Sequence, residues 1–411
     1  MFLEKQAAAI SHRPGPVTRG LSVIVKRFAT AMLRWEPIGS LVIELPNGEV
    51  FRYGNVGPFE EARLKLNNYR VIAKAMTRGP IGFADAYMAS DIDCPDLKSL
   101  IQFFVRNRDQ LKTTAGRLFG IRARDRVAHR SRRNSRRGSR RNISAHYDLS
   151  NEFFRLWLDP DMIYSSGLYA RDDQPLEDAQ RAKLEAVLGA LELSGGEEIL
   201  EIGCGWGALA RQAVCAHDVR VSGITLSSEQ LAYAREAADS AGLADRCKFS
   251  LTDYRDVRGE FDRIMSVEMI EAVGEEYWPS FFRQLHDRLR SGGIAVVQAI
   301  TIDERRFNSY RRKPDFIQRY IFPGGMLPTP AIIADQAAAA GLIVEPVTRF
   351  GKSYALTLRE WRRRFDAARP EIARLGFDDR FRRMWRYYLS YCEAALLEGA
   401  IDVAIYRLRK P

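Results

Sequence analysis

Glu198-Ile199-Leu200-Glu201-Ile202-Gly203-Cys204-Gly205-Trp206-Gly207 is the stretch that decides the fold. Its apolar first half reads as a buried strand, and GALARQAVCA (207–216) reads as the helix that follows. Between them, glycines at 203, 205 and 207 let the backbone approach a ligand where a side chain would obstruct it. Glu201 repels a pyrophosphate and suits a cationic amine. S-adenosylmethionine, an amino acid at one end and a nucleoside at the other, therefore fits this turn better than NAD.

The pattern continues outward as alternating strands and helices. VRVSGITL (219–226), CKFSLTDY (247–254), FDRIMSVEM (261–269) and IAVVQAITI (294–302) read as further strands. SSEQLAYAREAADSAG (227–242) and YWPSFFRQLHDRLRSGG (277–293) read as helices, the second closed by its glycines. This is an α/β pattern: a doubly wound, Rossmann-like domain with a parallel sheet and ligands at the carboxyl ends of its strands. Residues 375–397 read as a last amphipathic, aromatic-rich helix.

Ahead of it lies a small α+β domain, expected over 1–120. SLVIELPNGEVFRYG (40–54) alternates around Asn47-Gly48, a strong hairpin signal. Residues 79–90 and 97–107 read as helices, and 21–35 as a short helix that packs on the domain or faces a membrane. Residues 121–141 hold ten arginines and no apolar stripe, so they read as a linker. Its arginines suit phosphates of lipid headgroups or nucleic acid, or serve only solubility.

The net charge of +11 points to an anionic partner. Five cysteines without a CxxC pair exclude a zinc signature and a disulfide framework, and favour a reducing cytosol. The N-terminus lacks the unbroken apolar core of a signal peptide. No stretch reaches the roughly 20 apolar residues of a membrane span, so membrane contact is expected to be peripheral.

Asp253 and Tyr254 end the third strand, where an Asp accepts from an adenine amine and a Tyr covers the ring. The second strand lacks the usual acidic residue for ribose hydroxyls, which leaves Thr225 and Gln230 for that task. A base-methylating enzyme is expected to carry an Asn/Asp-Pro-Pro-Tyr/Phe run after the fourth strand. Glu268-Met269-Ile270-Glu271 stands there instead, which argues against nucleic acid as the acceptor. Glu268 itself reads as a second acid or as a structural partner.

Several further blocks carry a family resemblance. They are His146-Tyr147-Asp148-Leu149-Ser150-Asn151, Met162-Ile163-Tyr164-Ser165-Ser166, Glu201 to Gly207, and Gly223-Ile224-Thr225-Leu226-Ser227 with Gln230. Ser266-Val267-Glu268-Met269-Ile270-Glu271-Ala272-Val273-Gly274 and Arg319-Tyr320-Ile321-Phe322-Pro323-Gly324-Gly325 complete the set. In this order they resemble the cyclopropane-fatty-acid synthase family, S-adenosylmethionine-dependent methyltransferases that act on unsaturated phospholipid acyl chains. The resemblance covers about 142–397, within a methyltransferase domain expected over 142–411 with C-terminal helices. The preceding domain resembles that of the longer bacterial members, some of which pair through it as homodimers.

The resemblance implies roles residue by residue. Tyr164 and Ser165 meet the methionine end of the cofactor, Gly203 and Gly205 lie under it, Gln230 meets the ribose, and Asp253 and Tyr254 frame the adenine. Many members hold a bicarbonate ion as base. The matching positions here are Ser166, Glu271, Gln298, Ile300 and Tyr354, with Ser166 in place of a cysteine and Gln298 in place of a histidine. Either the ion is held more weakly, or Glu271 takes the proton itself, which requires a pKa raised by burial. Ala272 replaces a histidine that often follows the motif glutamate.

Methyl transfer to an alkene leaves a carbocation, so the site needs to be dry, with aromatics or carboxylates that tolerate positive charge. Phe316, Tyr320, Phe322 and Tyr354 are candidates for such faces, or for plain core packing. Proton loss then gives a cyclopropane, an exocyclic methylene or a methyl branch with a shifted double bond. The substrate is expected to be an unsaturated phospholipid in a bilayer, met at the inner membrane face from the cytoplasm. The basic linker and Arg359, Arg362, Arg363 and Arg364 suit anionic headgroups. A small-molecule C-methyltransferase with a non-lipid acceptor is the rival reading.

Overall fold

A computed structural model describes residues 36–55, 57–115, 138 and 149–411, with backbone only over 112–115. The helix expected over 21–35, His146-Tyr147-Asp148 and all of the arginine-rich segment except Gly138 lie outside the described residues. The chain divides into two compact units, Met1–Ile121 and Arg122–Pro411.

In the first unit, β1 (Leu41–Glu44) and β2 (Val50–Tyr53) form the expected antiparallel hairpin. Gly48 sits at φ +83, a left-handed turn position open to glycine, and its N–H donates to Leu45 O. Two strands were not expected: β3 (Ala62–Leu66), parallel to β1, and the two-residue β4 (Ile92–Asp93). Helix α1 runs Arg70–Met88 and breaks at Gly79, whose φ/ψ of 57/−135 lies just before Pro80. Asp96 caps α2 (Leu97–Arg106) by accepting from Ser99 N–H, and α3 (Arg108–Ala115) follows. Leu97, Leu100, Ile101 and Phe103 supply the buried face of α2.

Among the described elements of the second unit, α4 (Asn151–Arg155) and α5 (Leu176–Ala190) come first. The alternating pattern then yields β5 (Glu198–Ile202), α6 (Ala208–Ala216), β6 (Arg220–Thr225), α7 (Ser228–Ser240), β7 (Cys247–Leu251) and β8 (Phe261–Val267). Next come α8 (Trp278–Arg288), β9 (Leu289–Ile302), α9 (Glu304–Arg312), α10 (Pro330–Ala339), β10 (Ile343–Val344) and β11 (Thr348–Arg349). Helices α11 (Gly351–Ala367), α12 (Arg369–Arg374) and α13 (Asp379–Leu397), then β12 (Ile401–Arg409), complete the unit.

The sheet order is β10-β12-β9-β8-β5-β6-β7, with β11 also on β12. The strands from β5 to β9 pair in parallel, as expected of a doubly wound domain. The chain leaves β5 toward β6 and later returns to β8 on its other side, which opens a crevice at the carboxyl end of β5. A wholly parallel sheet is corrected, however. β12 lies antiparallel along the whole of β9's apolar run, from Ile401 opposite Ile302 to Arg409 opposite Ile294, and β10 pairs antiparallel to β12. β9 would otherwise present a long apolar edge, and β12 covers it. A second correction concerns 289–293, read as the end of a helix but forming the start of β9.

Leu200, Ile264, Ala295 and Val297 of the sheet pack with Trp278, Phe281, Phe282 and Leu285 of α8 and Ile333 of α10. Another core is almost wholly aromatic. Phe153 of α4 lies edge-on to Trp157, Phe365 of α11, and Phe381 and Trp385 of α13.

Candidate active site

A cavity of about 160 Å³ opens at the carboxyl ends of β5, β6 and β8. Its wall includes Tyr164, Ser165, Glu201, Gly203, Gly205, Thr225, Gln230 and Tyr254, so the structure brings these expected cofactor residues together. The glycine turn is tied to β6, since Gly203 N–H and Cys204 N–H both donate to Ile224 O at 2.9 Å. Gly203, at φ +84, has no room for a side chain, because an added Cβ would come within 2.9 Å of Met269 Cγ. Around Gly205, at φ +53, no other group lies within 4 Å of such a Cβ, which leaves space over the turn.

Glu201 is 4% exposed, and its Oε2 is buried with no hydrogen-bond partner among the described residues. Burial pushes its pKa up to about 8. An orphaned carboxylate oxygen beside a glycine turn fits the cationic amine of an amino acid ligand. Thr225 Oγ1 donates to Gln230 Oε1 at 2.8 Å, which leaves the Gln230 amide N–H groups for a ligand hydroxyl. Tyr164 is fixed by a 2.9 Å hydroxyl contact with Tyr388 and by its tilt against Trp361.

Asp253 behaves differently from the expectation. It is not on the cavity wall, and Arg255 holds both of its carboxylate oxygens, through Nε at 2.8 Å and Nη2 at 2.6 Å. The guanidinium in turn lies 5.5 Å from the Tyr254 ring centre. Asp253 thus braces the turn that carries Tyr254.

Lys183 of α5 was missed altogether. It is 1% exposed, reaches the cavity, and donates from Nζ to Ser165 Oγ at 2.8 Å. Burial lowers its pKa to about 8, opposed by Glu268, Asp159 and Glu201. A lysine in the helical sequence QRAKLEAVL looks like a solvent-facing residue, and only the packing of α5 shows otherwise.

The five residues matched to an anion site do not act as one cage. Glu271 Oε1 accepts from Ile300 N–H at 2.5 Å, while its Oε2 is buried without a partner among the described residues. Burial pushes Glu271 up to about 8, and the nearby Glu268 adds to the rise. Ser166 Oγ donates to Gly167 O and does not face the site as the thiol's replacement was expected to. The donors of the other three converge on Glu268. Oε1 accepts from Ser166 N–H and from Gln298 Nε2, each at 2.8 Å, and Oε2 accepts from Tyr354 Oη at 2.8 Å. Glu268 lies on the cavity wall, at the end of β8.

The candidate aromatic faces divide. Tyr354 reaches Glu268, whereas Phe316 packs on Tyr387 at 4.5 Å and Phe322 on Tyr388 at 6.1 Å, both in α13. Phe316, Tyr320 and Phe322 are off the cavity wall. The late arginines are largely paired within the fold. Arg362 meets the buried Glu393, Arg363 meets Glu360, Arg364 meets Glu360 and Glu177, and Arg359 donates to Asp172 O.

Residues 134–406 match the family model described as mycolic acid cyclopropane synthetase. The chain belongs to this family. It is 40% identical over 334 residues to tuberculostearic acid methyltransferase UfaA1 of Mycobacterium tuberculosis, covering 79% of this chain and 78% of that protein. It is 33% identical over 357 residues to the cyclopropane-fatty-acyl-phospholipid synthase of Escherichia coli, covering 84% and 87%. The crystal structure of mycolic acid cyclopropane synthase CmaA1 with SAH and CTAB superposes with a TM-score of 0.62 at 33% identity, over 66% of this chain and 98% of that one. This family member is thus an S-adenosylmethionine-dependent methyltransferase of the class I fold. Among the described residues no helix is long and apolar enough to cross a membrane.

Proposed function

We propose that this enzyme methylates the cis double bond of an unsaturated acyl chain carried by a phospholipid, working peripherally at the inner membrane face. The cofactor supplies an electrophilic methyl. Tyr164, Ser165, Glu201, Gly203, Gly205, Thr225, Gln230 and Tyr254 hold and orient it. The observation that carries the reading is the shared cavity, where these residues meet a carboxylate, Glu268, beside the apolar Ile202, Val267 and Met269. A weak carbon nucleophile needs a dry wall and a nearby negative charge, and this wall offers both. The acyl substrate is supported by the relatives named for cyclopropane-fatty-acyl-phospholipid synthase and tuberculostearic acid methyltransferase.

The test is mass spectrometry of cis-monounsaturated phospholipid vesicles incubated with the enzyme and S-adenosylmethionine. A gain of one CH₂ unit per acyl chain is expected. Ozonolysis then divides the product, since a cyclopropane resists and a methylene or shifted alkene is cleaved. Intact cofactor binding without a mass gain would overturn the acyl reading and favour a non-lipid carbon acceptor.

A further inference from the structure

Glu268 departs from the ordinary rules of its position in two ways. Its backbone is left-handed, at φ +50, which is costly for a residue with a Cβ and is kept only where the surroundings fix it. Its carboxylate gathers donors from separate parts of the fold: Ser166 N–H before α5, Gln298 on β9 and Tyr354 on α11. Lys183 adds a favourable charge from α5. Donors arranged in this way favour the ionised form of a carboxyl group, and here the group they surround is a side chain on the cavity wall.

We propose that the Glu268 carboxylate is the proton acceptor of the reaction, occupying with the chain's own side chain the position that would otherwise take a bicarbonate ion. This rests on the acyl-methylation reading above. The alkene π pair forms the new bond to the methyl carbon, and the C–S pair stays with sulfur. The electron-poor neighbouring carbon is then relieved when a C–H bond breaks. That pair closes a ring or forms a new double bond, and the proton goes to Glu268.

Glu271 is the weaker candidate. Its Oε1 is engaged by Ile300 N–H and it lies off the cavity wall. Glu268 is also raised by burial, but its hydrogen bonds to Ser166, Tyr354 and Gln298 pull the other way.

The experiment compares wild type, Glu268→Gln and Glu268→Gly in CO₂-free buffer and with added bicarbonate, using S-adenosylmethionine and cis-monounsaturated phospholipid vesicles. Glycine suits the left-handed backbone, so the second variant removes the carboxylate without a folding penalty at φ. S-adenosylhomocysteine binding by calorimetry confirms that each variant keeps its cofactor site. Wild-type turnover is expected to be the same in both buffers. Glu268→Gln is expected to lose about 10²–10⁴-fold in kcat, the range for a general base. Glu268→Gly is expected to lose as much and to recover with bicarbonate, which can enter the vacated donor cage. Wild-type dependence on bicarbonate, or a Glu268→Gln enzyme within about threefold of wild type, would overturn the proposal.

Binding of ¹³C-bicarbonate, followed by NMR line broadening, reads the cage without turnover. Binding to Glu268→Gly but not to wild type supports the proposal, and binding to wild type overturns it. If the vesicles give no product with wild type in either buffer, the acyl reading fails while this binding result still decides whether Glu268 fills the cage.

Discussion

Tyr354 donates its hydroxyl to Oε2 of Glu268 over 2.8 Å, across 86 positions of sequence. The bond favours the ionised carboxylate against the desolvation that raises its pKa. In Tyr354→Phe the Glu268 pKa should rise further, so the acidic limb of the kcat–pH profile moves to higher pH. A hydrogen bond to a charged group contributes about 1.5–3 kcal/mol, so the limb should move by roughly 1–2 pH units. The pH–rate profile of the variant checks both. An unshifted limb would separate Tyr354 from the ionisation of Glu268.

Glu201 gives a proton-linkage prediction. In the unbound enzyme its pKa is pushed up to about 8, so it is mostly protonated at pH 7. Pairing with a cationic amine favours the ionised form, and cofactor binding at pH 7 should release close to one proton. Calorimetry in buffers of different ionisation enthalpy measures this, and Glu201→Gln should abolish it.

The same shift affects stability. The folded pKa lies above the 4.5 of an exposed carboxyl, so folding favours the protonated form. The unbound enzyme should lose stability as pH rises from 4.5 to about 8. Glu271, also near 8, adds a slope of the same sign. Thermal midpoints across this range should therefore fall less steeply in Glu201→Gln, without becoming flat.

Gly205→Ala separates folding from binding. At φ +53 an alanine costs roughly 1–2 kcal/mol of stability, and no neighbour lies within 4 Å of the new methyl to add a clash. With ligand over the turn the methyl meets an occupied site, which should weaken binding by a further 1–3 kcal/mol or so. Denaturation and S-adenosylhomocysteine titration measure the two terms separately.

Phe153 is 0% exposed at the centre of the aromatic core that carries α4 and backs Tyr164. Phe153→Ala should destabilise the enzyme by about 3–5 kcal/mol, the usual cost of truncating a buried ring. Urea denaturation at constant m-value checks this.

The sequence alone determined the parallel core of the sheet, its glycine turn and, Asp253 and Lys183 apart, the candidate cofactor residues that line the cavity around it. These features are local: a strand period, a left-handed glycine and a helix start all lie within about ten residues and need no distant partner. β12 was not legible, because IDVAIYRLR is a strand only through its pairing with β9. Lys183 was not legible either, since its burial is decided by what packs on α5. Tertiary structure alone decided which acid holds the donors. Ser166, Gln298 and Tyr354 meet Glu268 from positions 102, 30 and 86 residues away. In the sequence Glu271 reads as the acid that takes the proton, and Glu268, three residues before it, as a second acid or a structural partner. The turn after β8 points one at the cavity and its donors and the other at the backbone of Ile300, and that difference in surroundings is what distinguishes the two acids.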